Sequence, residues 1–288
     1  MNYQWYPGHM TKARRQMEDD IKLIDLVIEL LDARVPFSSR NPDIDQLCRN
    51  RARLILLNKS DLSDPDGNRE WMNYFEKQGI TAVEVNSKDG KGLKSIQKAV
   101  QKSCAEKIAR DKKRGILNRP VRTMVVGIPN VGKSTFINSY AGKACTKTGN
   151  RPGVTKGKQW IRLNKTLELL DTPGILWPRF EDKDTGMKLA FIGSITDEIL
   201  YVEELAADFI KYMENCYPGL IADYYGIETD GDVYAALNSI AAIRHCLLKD
   251  GEYDIKKAAA ILMDDFRKGK LGRITLELPQ TKGEDMTK

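Results

Sequence analysis

LILLNKSD, Leu54–Asp61, is an apolar run that stops abruptly in polar side chains. Four consecutive apolar residues before a turn read as a strand buried on both faces. The chain that follows it, Asn58-Lys59-Ser60-Asp61, then stands at the strand's carboxyl end. A second stretch is built alike: VRTMVVGIPNVGKST, Val121–Thr135, runs from an apolar strand into Gly-x-x-x-x-Gly-Lys-Ser and on into a helical pattern. How these two loops relate, with NKSD first in the chain, decides the fold.

Outward from them, strands and helices alternate. Apolar runs predict strands at Leu26–Leu31, Arg53–Leu57, Thr81–Val85 and Val121–Val126, with paired strands at Gln159–Leu163 and Leu167–Leu170. Helical spacing marks Thr11–Ile24, Pro42–Arg49 with Asn41 as its cap, Glu70–Gln78, Gly92 to about Ala109, and Lys133–Ala141. KIARDKKRGILNRP, basic and broken by Gly115 and Pro120, reads as a connector. From about Arg179 the patterns are helical: Glu203–Met213, Asp232–Leu248 with His245 inside it as a structural residue, and a helix capped by Asp254. The expectation is an α/β domain over 1–178, a mainly parallel sheet with helices on both faces. A smaller, mostly α-helical domain follows over 179–288.

Composition sets wide bounds. The chain has 288 residues and a net charge of +6, which permits a nucleic-acid partner without requiring one. Cys48, Cys104, Cys145, Cys216 and Cys246 form no CxxC pair, which argues against zinc and for free thiols in a reducing cytoplasm. No signal-peptide core opens the sequence, and LIDLVIELL is charged and too short to cross a bilayer. A cytoplasmic protein with no membrane association, acting as a monomer, is expected.

GIPNVGKS fits a P-loop because a strand precedes it and a helix follows. Its backbone N–H groups would wrap phosphates, with Asn130, Val131, Gly132, Lys133, Ser134 and Thr135 as contacts. Lys133 would reach the β and γ phosphates and Ser134 would ligate Mg²⁺. The loop alone does not choose between ATP and GTP. DTPG delivers Asp171 as a water-mediated Mg²⁺ ligand and Gly174 as a γ-phosphate sensor. Thr155 in RPGVTKGK is the candidate to complete the metal shell, with Thr146 and Thr148 nearby in the same loop. In NKSD, Asp61 can accept from N1–H and N2–H₂ of guanine, a pair adenine lacks, and a buried carboxylate there would reject adenine. Asn58 can bond the base edge and the Lys59 stem can cover its face. The plainer reading makes Asp61 a helix cap. Ser87 and Lys88 in VEVNSKDG would present a backbone N–H to guanine O6.

The parts run NKSD, NSKDG, GIPNVGKS, VT, DTPG: the usual GTPase order cut after DTPG and rejoined through the basic connector. With WYPGHM, DARVPFSSRNP, GIPNVGKST, RPGVT, DTPGILWP and GRITLELP, this resembles the circularly permuted GTPases, and among them the bacterial large-subunit assembly factors. The resemblance spans nearly the whole chain. It implies GTP/GDP and Mg²⁺ as ligands and the precursor large (50S) ribosomal subunit and its rRNA as partner. It also implies a slow GTPase stimulated by that subunit, acting in late maturation. Ile175 stands where Ras-like GTPases carry a water-orienting glutamine. The resemblance offers His9 as the water-positioning group, the alternative being an RNA contact. It offers Asn130 as a K⁺ ligand, the alternative being a turn residue.

Basic clusters at Lys12, Arg14 and Arg15, at Lys107, Arg110, Lys112, Lys113 and Arg114, at Lys156 and Lys158, and at Arg267, Lys268, Lys270 and Arg273 suit contact with an RNA backbone. Two other readings compete: an RNA-binding module with guanine nucleotide as a structural ligand, which Ile175 favours, and a GTPase of another RNA process such as tRNA modification.

Overall fold

The computed structural model describes residues 18–116, 119–142, 159–171, 183–195, 201–228 and 231–279. They fall into two compact units. The described residues up to Asp171 form the first unit, and Glu277 returns to it, whereas those from Lys183 to Leu276 form the second.

The first unit is a six-stranded sheet in the order β3-β2-β1-β4-β6-β5. Its strands are β1 (Leu26–Asp32), β2 (Ala52–Asn58), β3 (Thr81–Val85), β4 (Val121–Gly127), β5 (Gln159–Arg162) and β6 (Leu167–Asp171). β1, β2, β3, β4 and β6 run parallel, and β5 closes the edge antiparallel to β6. The chain moves outward from β1 to β3, then crosses back to the other side of β1 at β4. β1 and β4 therefore flank the topological switch point, where open α/β sheets bind ligands at strand carboxyl ends.

Helices α1 (Pro42–Leu47), α2 (Pro65–Lys77), α3 (Leu93–Ser103), α4 (Ala105–Lys113) and α5 (Lys133–Ala141) belong to the same unit, and residues 18–21 are helical as well. β1 is buried at every position, so its unbroken apolar run is the signature of a central parallel strand. On one sheet face, Val27, Met124, Val126 and Leu170 pack with Ile21, Ile24, Ile44 and Cys48. Further along the same face, Leu31, Ile55 and Leu57 pack with Trp71 and Phe75, two residues one turn apart on α2. Truncating either aromatic to alanine would cost about 3–5 kcal/mol.

Two helices of this unit depart from the sequence expectation. α2 begins at Pro65 rather than Glu70, because Asp64 caps it through Asp66 N–H and Pro65 fills the first helical position. The Asp-Pro-Asp-Gly stretch looks like a turn but works as a helix start. The single helix expected over 92–109 breaks at Cys104, and α4 continues through the first half of the presumed connector. The periodicity runs on across the break, so spacing alone hides it.

The second unit comprises α6 (Lys183–Phe191), α7 (Val202–Cys216), α8 (Leu220–Tyr225), α9 (Val233–Ile243) and α10 (Ile255–Arg267). Phe191, Phe209 and Phe266 form its aromatic centre, with ring centroids 5.1 and 4.6 Å apart along the series. Arg267 donates to the carbonyls of Phe191 and Ala190, which satisfies the open end of α6. The expected helix through Leu248 stops at Ile243, and His245 lies beyond it, exposed and at φ 52°. Leu247 fits the helical spacing yet pairs in a bridge with Tyr253. Cys48, Cys104, Cys216 and Cys246 are free thiols, and burial pushes those of Cys48 and Cys104 up to about 11. No described helix is long and apolar enough to cross a membrane.

Candidate nucleotide site

The register aligns Asp32 with Asn58 and Asn58 with Val85, and sets Leu30 beside Gly127. The loops after β1, β2, β3 and β4 therefore open at one sheet edge. NKSD follows β2, NSKDG follows β3, and the P-loop bridges β4 to α5.

Asn58 joins three of them. Its Nδ2 donates to the carbonyl of Val131 in the P-loop at 2.7 Å. Its Oδ1 accepts from Ser87 N–H at 3.0 Å and Ser87 Oγ at 2.8 Å. The expected contact with a base edge is left only the second Nδ2 hydrogen, since Oδ1 is doubly occupied. Gly132 makes the approach possible: it sits at φ 101°, and a Cβ there would lie 2.6 Å from Asn58 Nδ2. Ser139 of α5 adds a tie by donating to the Ser87 carbonyl at 2.6 Å.

The NSKDG loop is closed on itself. Asn86 Oδ1 accepts from the N–H groups of Lys88 and Asp89, and Asn86 pairs with Lys91 across the turn. The N–H groups of Ser87 and Lys88 thus both donate to asparagine oxygens. A base contact from either must share its bond. Gly92 then starts α3 where any side chain would strike the Glu84 carbonyl, 2.1 Å from a built Cβ.

Lys133 folds back over its own loop, donating to the carbonyls of Gly127 and Ile128. Burial pushes its ammonium down to about 8, so it sits partly desolvated where phosphates would raise it again. Ser134 and Thr135 follow in the first turn of α5. Val131 is fully buried, whereas Asn130 is exposed at φ 59°, a left-handed conformation asparagine tolerates well. That gives the turn reading of Asn130 a physical basis.

Asp61 is exposed, not buried as a base-excluding carboxylate would be; a docked purine would have to cover it. Nor does it cap the next helix, a task that falls to Asp64. Lys59, at φ 56°, reaches Asp32 Oδ2 at 3.0 Å. Asp171 ends β6 by its backbone, paired with Gln159, and its side chain lies outside what is described. His9, Thr155, Gly174 and Ile175 lie outside the described residues, as do Thr146 and Thr148. Sequence reading passed over Asp32, Arg34 and Glu277 as site residues; DARVPFSSRNP and GRITLELP served only as marks of the resemblance.

A P-loop opening a helix at the switch point, stapled to a loop ending in Asn-Lys-x-Asp, defines a P-loop GTPase with its base reader ahead of its phosphate loop. Comparison with known proteins agrees. Residues 122–230 match the family described as 50S ribosome-binding GTPase, a match that begins at β4. The chain is 45% identical to ribosome biogenesis GTPase A of Bacillus cereus over 287 residues, covering 99% of this chain and 97% of that one. It is 33% identical to the Thermotoga maritima protein of the same name, covering 96% and 94%. Among solved structures, GNP-bound YlqF from T. maritima superposes with a TM-score of 0.68 at 30% identity, over 93% of this chain and 99% of that one. The chain belongs to the ribosome biogenesis GTPase A family. It is a circularly permuted GTPase that binds guanine nucleotide.

Proposed function

We propose that this protein hydrolyses GTP at the sheet edge while docked, as a monomer in the cytoplasm, on the precursor of the large ribosomal subunit. GTP sets the docking-competent state, late maturation proceeds, and hydrolysis releases the factor. The observation that carries this reading is the Asn58 staple, which unites the phosphate loop with both base loops in one site.

In this reading Lys133 leaves its loop carbonyls for the β and γ phosphates, and the P-loop N–H groups take the remaining oxygens. Asp61 accepts from N1–H and N2–H₂ of guanine, the Lys59 stem covers the ring, and Ser87 or Lys88 shares its N–H with O6. Ser134, Thr155 and Asp171 would hold Mg²⁺, the last through water. Hard oxygen donors suit that ion. Bound Mg²⁺ would neutralise charge developing on the phosphates. Asn130 is the proposed K⁺ ligand. With Ile175 unable to orient water, His9 is the proposed group brought to the γ-phosphate when the subunit docks. Gly174 would relay loss of that phosphate into the segment leading to the helical unit.

α4 is the best-supported RNA contact, because none of its residues is buried and Arg110, Lys112, Lys113 and Arg114 are all exposed. The C-terminal cluster is more structural than expected: Arg267 caps α6, Lys268 pairs with Asp264 and Lys270 with Asp265.

The test is multiple-turnover hydrolysis with and without purified subunits. Alone, turnover should be on the order of 10⁻⁴–10⁻³ s⁻¹. Large subunits should accelerate it and retain the protein on sedimentation in the presence of a non-hydrolysable analogue. Equal turnover with and without subunits would leave nucleotide as a structural ligand, and retention on neither subunit would point to another RNA process.

A further inference from the structure

Behind the NKSD loop lies a buried ion cluster that the proposed mechanism does not use. Asp32 ends β1 with no exposure to solvent. Its carboxylate accepts from Arg34 Nε at 2.9 Å and Nη2 at 2.8 Å, and the Arg34 N–H adds a third bond at 3.1 Å. The remaining partner is Lys59 Nζ at 3.0 Å. Burial alone would raise this carboxyl, but Arg34 and Lys59 overcome it and hold the group well below the usual carboxylate range.

Two features make the cluster more than structural support. Lys59 adopts a left-handed φ of 56°, which is unfavourable for a residue with a Cβ. A lysine stem also loses rotamer freedom when held in one direction. Both costs are met before any base arrives, because Asp32 fixes the ammonium and the Ala33 N–H ties to the Asn58 carbonyl at 2.9 Å. A stem prepared in this way binds a flat ring without further ordering.

The loop carrying Asp32 is itself held from the far end of the chain. Ser39 Oγ accepts the Asp32 N–H at 3.1 Å. Next to it, Ser38 donates N–H and Oγ to the two carboxylate oxygens of Glu277 at 2.7 and 2.6 Å. Trp71 Nε1 pins the Glu277 carbonyl at 2.9 Å.

We propose that Asp32 is a positioning residue for the guanine base, acting through Lys59, and that Glu277 holds the loop from which it acts. The inference rests on the reading of Lys59 as the base-covering side chain.

The experiment is a double-mutant cycle on GDP affinity and dissociation rate, using the full chain and a fluorescent GDP, with thermal melts alongside. Asp32→Asn should weaken GDP about tenfold, mainly through faster dissociation, and Glu277→Ala about threefold. In a Lys59→Met background both effects should shrink to within about twofold, since no ammonium remains to be placed. A purely structural role would lower melting temperature and leave equal losses in both backgrounds, and that result would overturn the proposal. Should Asp32→Asn fail to melt cooperatively, Glu277→Ala carries the same test. GDP binding by Lys59→Met at wild-type strength would remove the base role of Lys59 and this inference with it. Wild-type binding by Asp32→Asn, with Lys59→Met impaired, would remove the inference alone.

Discussion

Two buried carboxylates, one in each unit, are built alike and stand in different settings. Asp32 and Asp265 are both almost fully buried, and each answers two cations. Asp265 also accepts from Tyr225 at 3.0 Å, which ties α8 to α10, while Arg244 and Lys270 reach it from more exposed positions. Burial of the Tyr225 hydroxyl, and then the Asp265 charge beside it, push that hydroxyl well above the usual tyrosine range. Asp32 instead sits where a strand ends at the ligand edge, and one of its cations belongs to a candidate base-reading loop. Burial and pairing alone therefore do not distinguish a site residue from a fold residue. What separates these two is whether a partner stands at the carboxyl end of a parallel strand.

The comparison can be broken at several strengths. The largest effect belongs to the sheet unit: Lys133→Ala should lower GTP turnover by about 10²–10³-fold with little change in melting temperature, and steady-state phosphate release checks it. Next, Asp61→Asn should weaken GTP by about tenfold to a hundredfold, the loss of charge-assisted bonds of about 1.5–3 kcal/mol. It should strengthen xanthosine triphosphate, whose added carbonyl needs a donor; competition binding reads both. Asp265→Asn should do the reverse, lowering stability by about 1–3 kcal/mol in denaturant melts while GDP affinity holds. A large loss of GDP affinity there would erase the distinction between the two carboxylates.

The smallest effect sharpens the site itself. Free Lys133 titrates near 8, and a bound phosphate raises that value. Below about pH 8 the ammonium is already present and GDP affinity should be flat. As pH rises above 8, binding must take up a proton, so affinity should fall by at most about tenfold per pH unit. Calorimetric titration at pH 8.5 in buffers of different ionisation enthalpy should detect that proton, and Lys133→Ala should abolish it.

Much of this architecture was legible in the sequence because its signals are local. A strand, a glycine-rich turn and a helix in succession mark the P-loop, and Val121–Ala141 folds in that order. LILLNKSD likewise ends its strand at Asn58. The misreadings have physical causes. A capping aspartate followed by proline looks like a turn until the helix is seen, as at Asp64. Helical spacing that runs on past Ile243 does not require helix, since Leu247 meets Tyr253 across a bridge instead. Harder still are partners distant in the chain. Asn58 meets Val131 across 73 positions, and nothing near Asn58 foretells that its amide staples loops. The place of Asp61 just after a strand could be anticipated; its exposure depends on packing that no motif encodes.

The clamp of Glu277 on Ser38 has a consequence for how the molecule is made. The two residues are 239 positions apart. At a synthesis rate of about 5–20 residues per second, the carboxylate is polymerised roughly 10–50 s after the serine it grips. Strands β1 to β3, the P-loop and both base loops have all been translated by then. The nascent chain thus carries every nucleotide loop before it carries the anchor for the loop that holds Asp32. That bond can close only after residue 277 has been added and has left the ribosome.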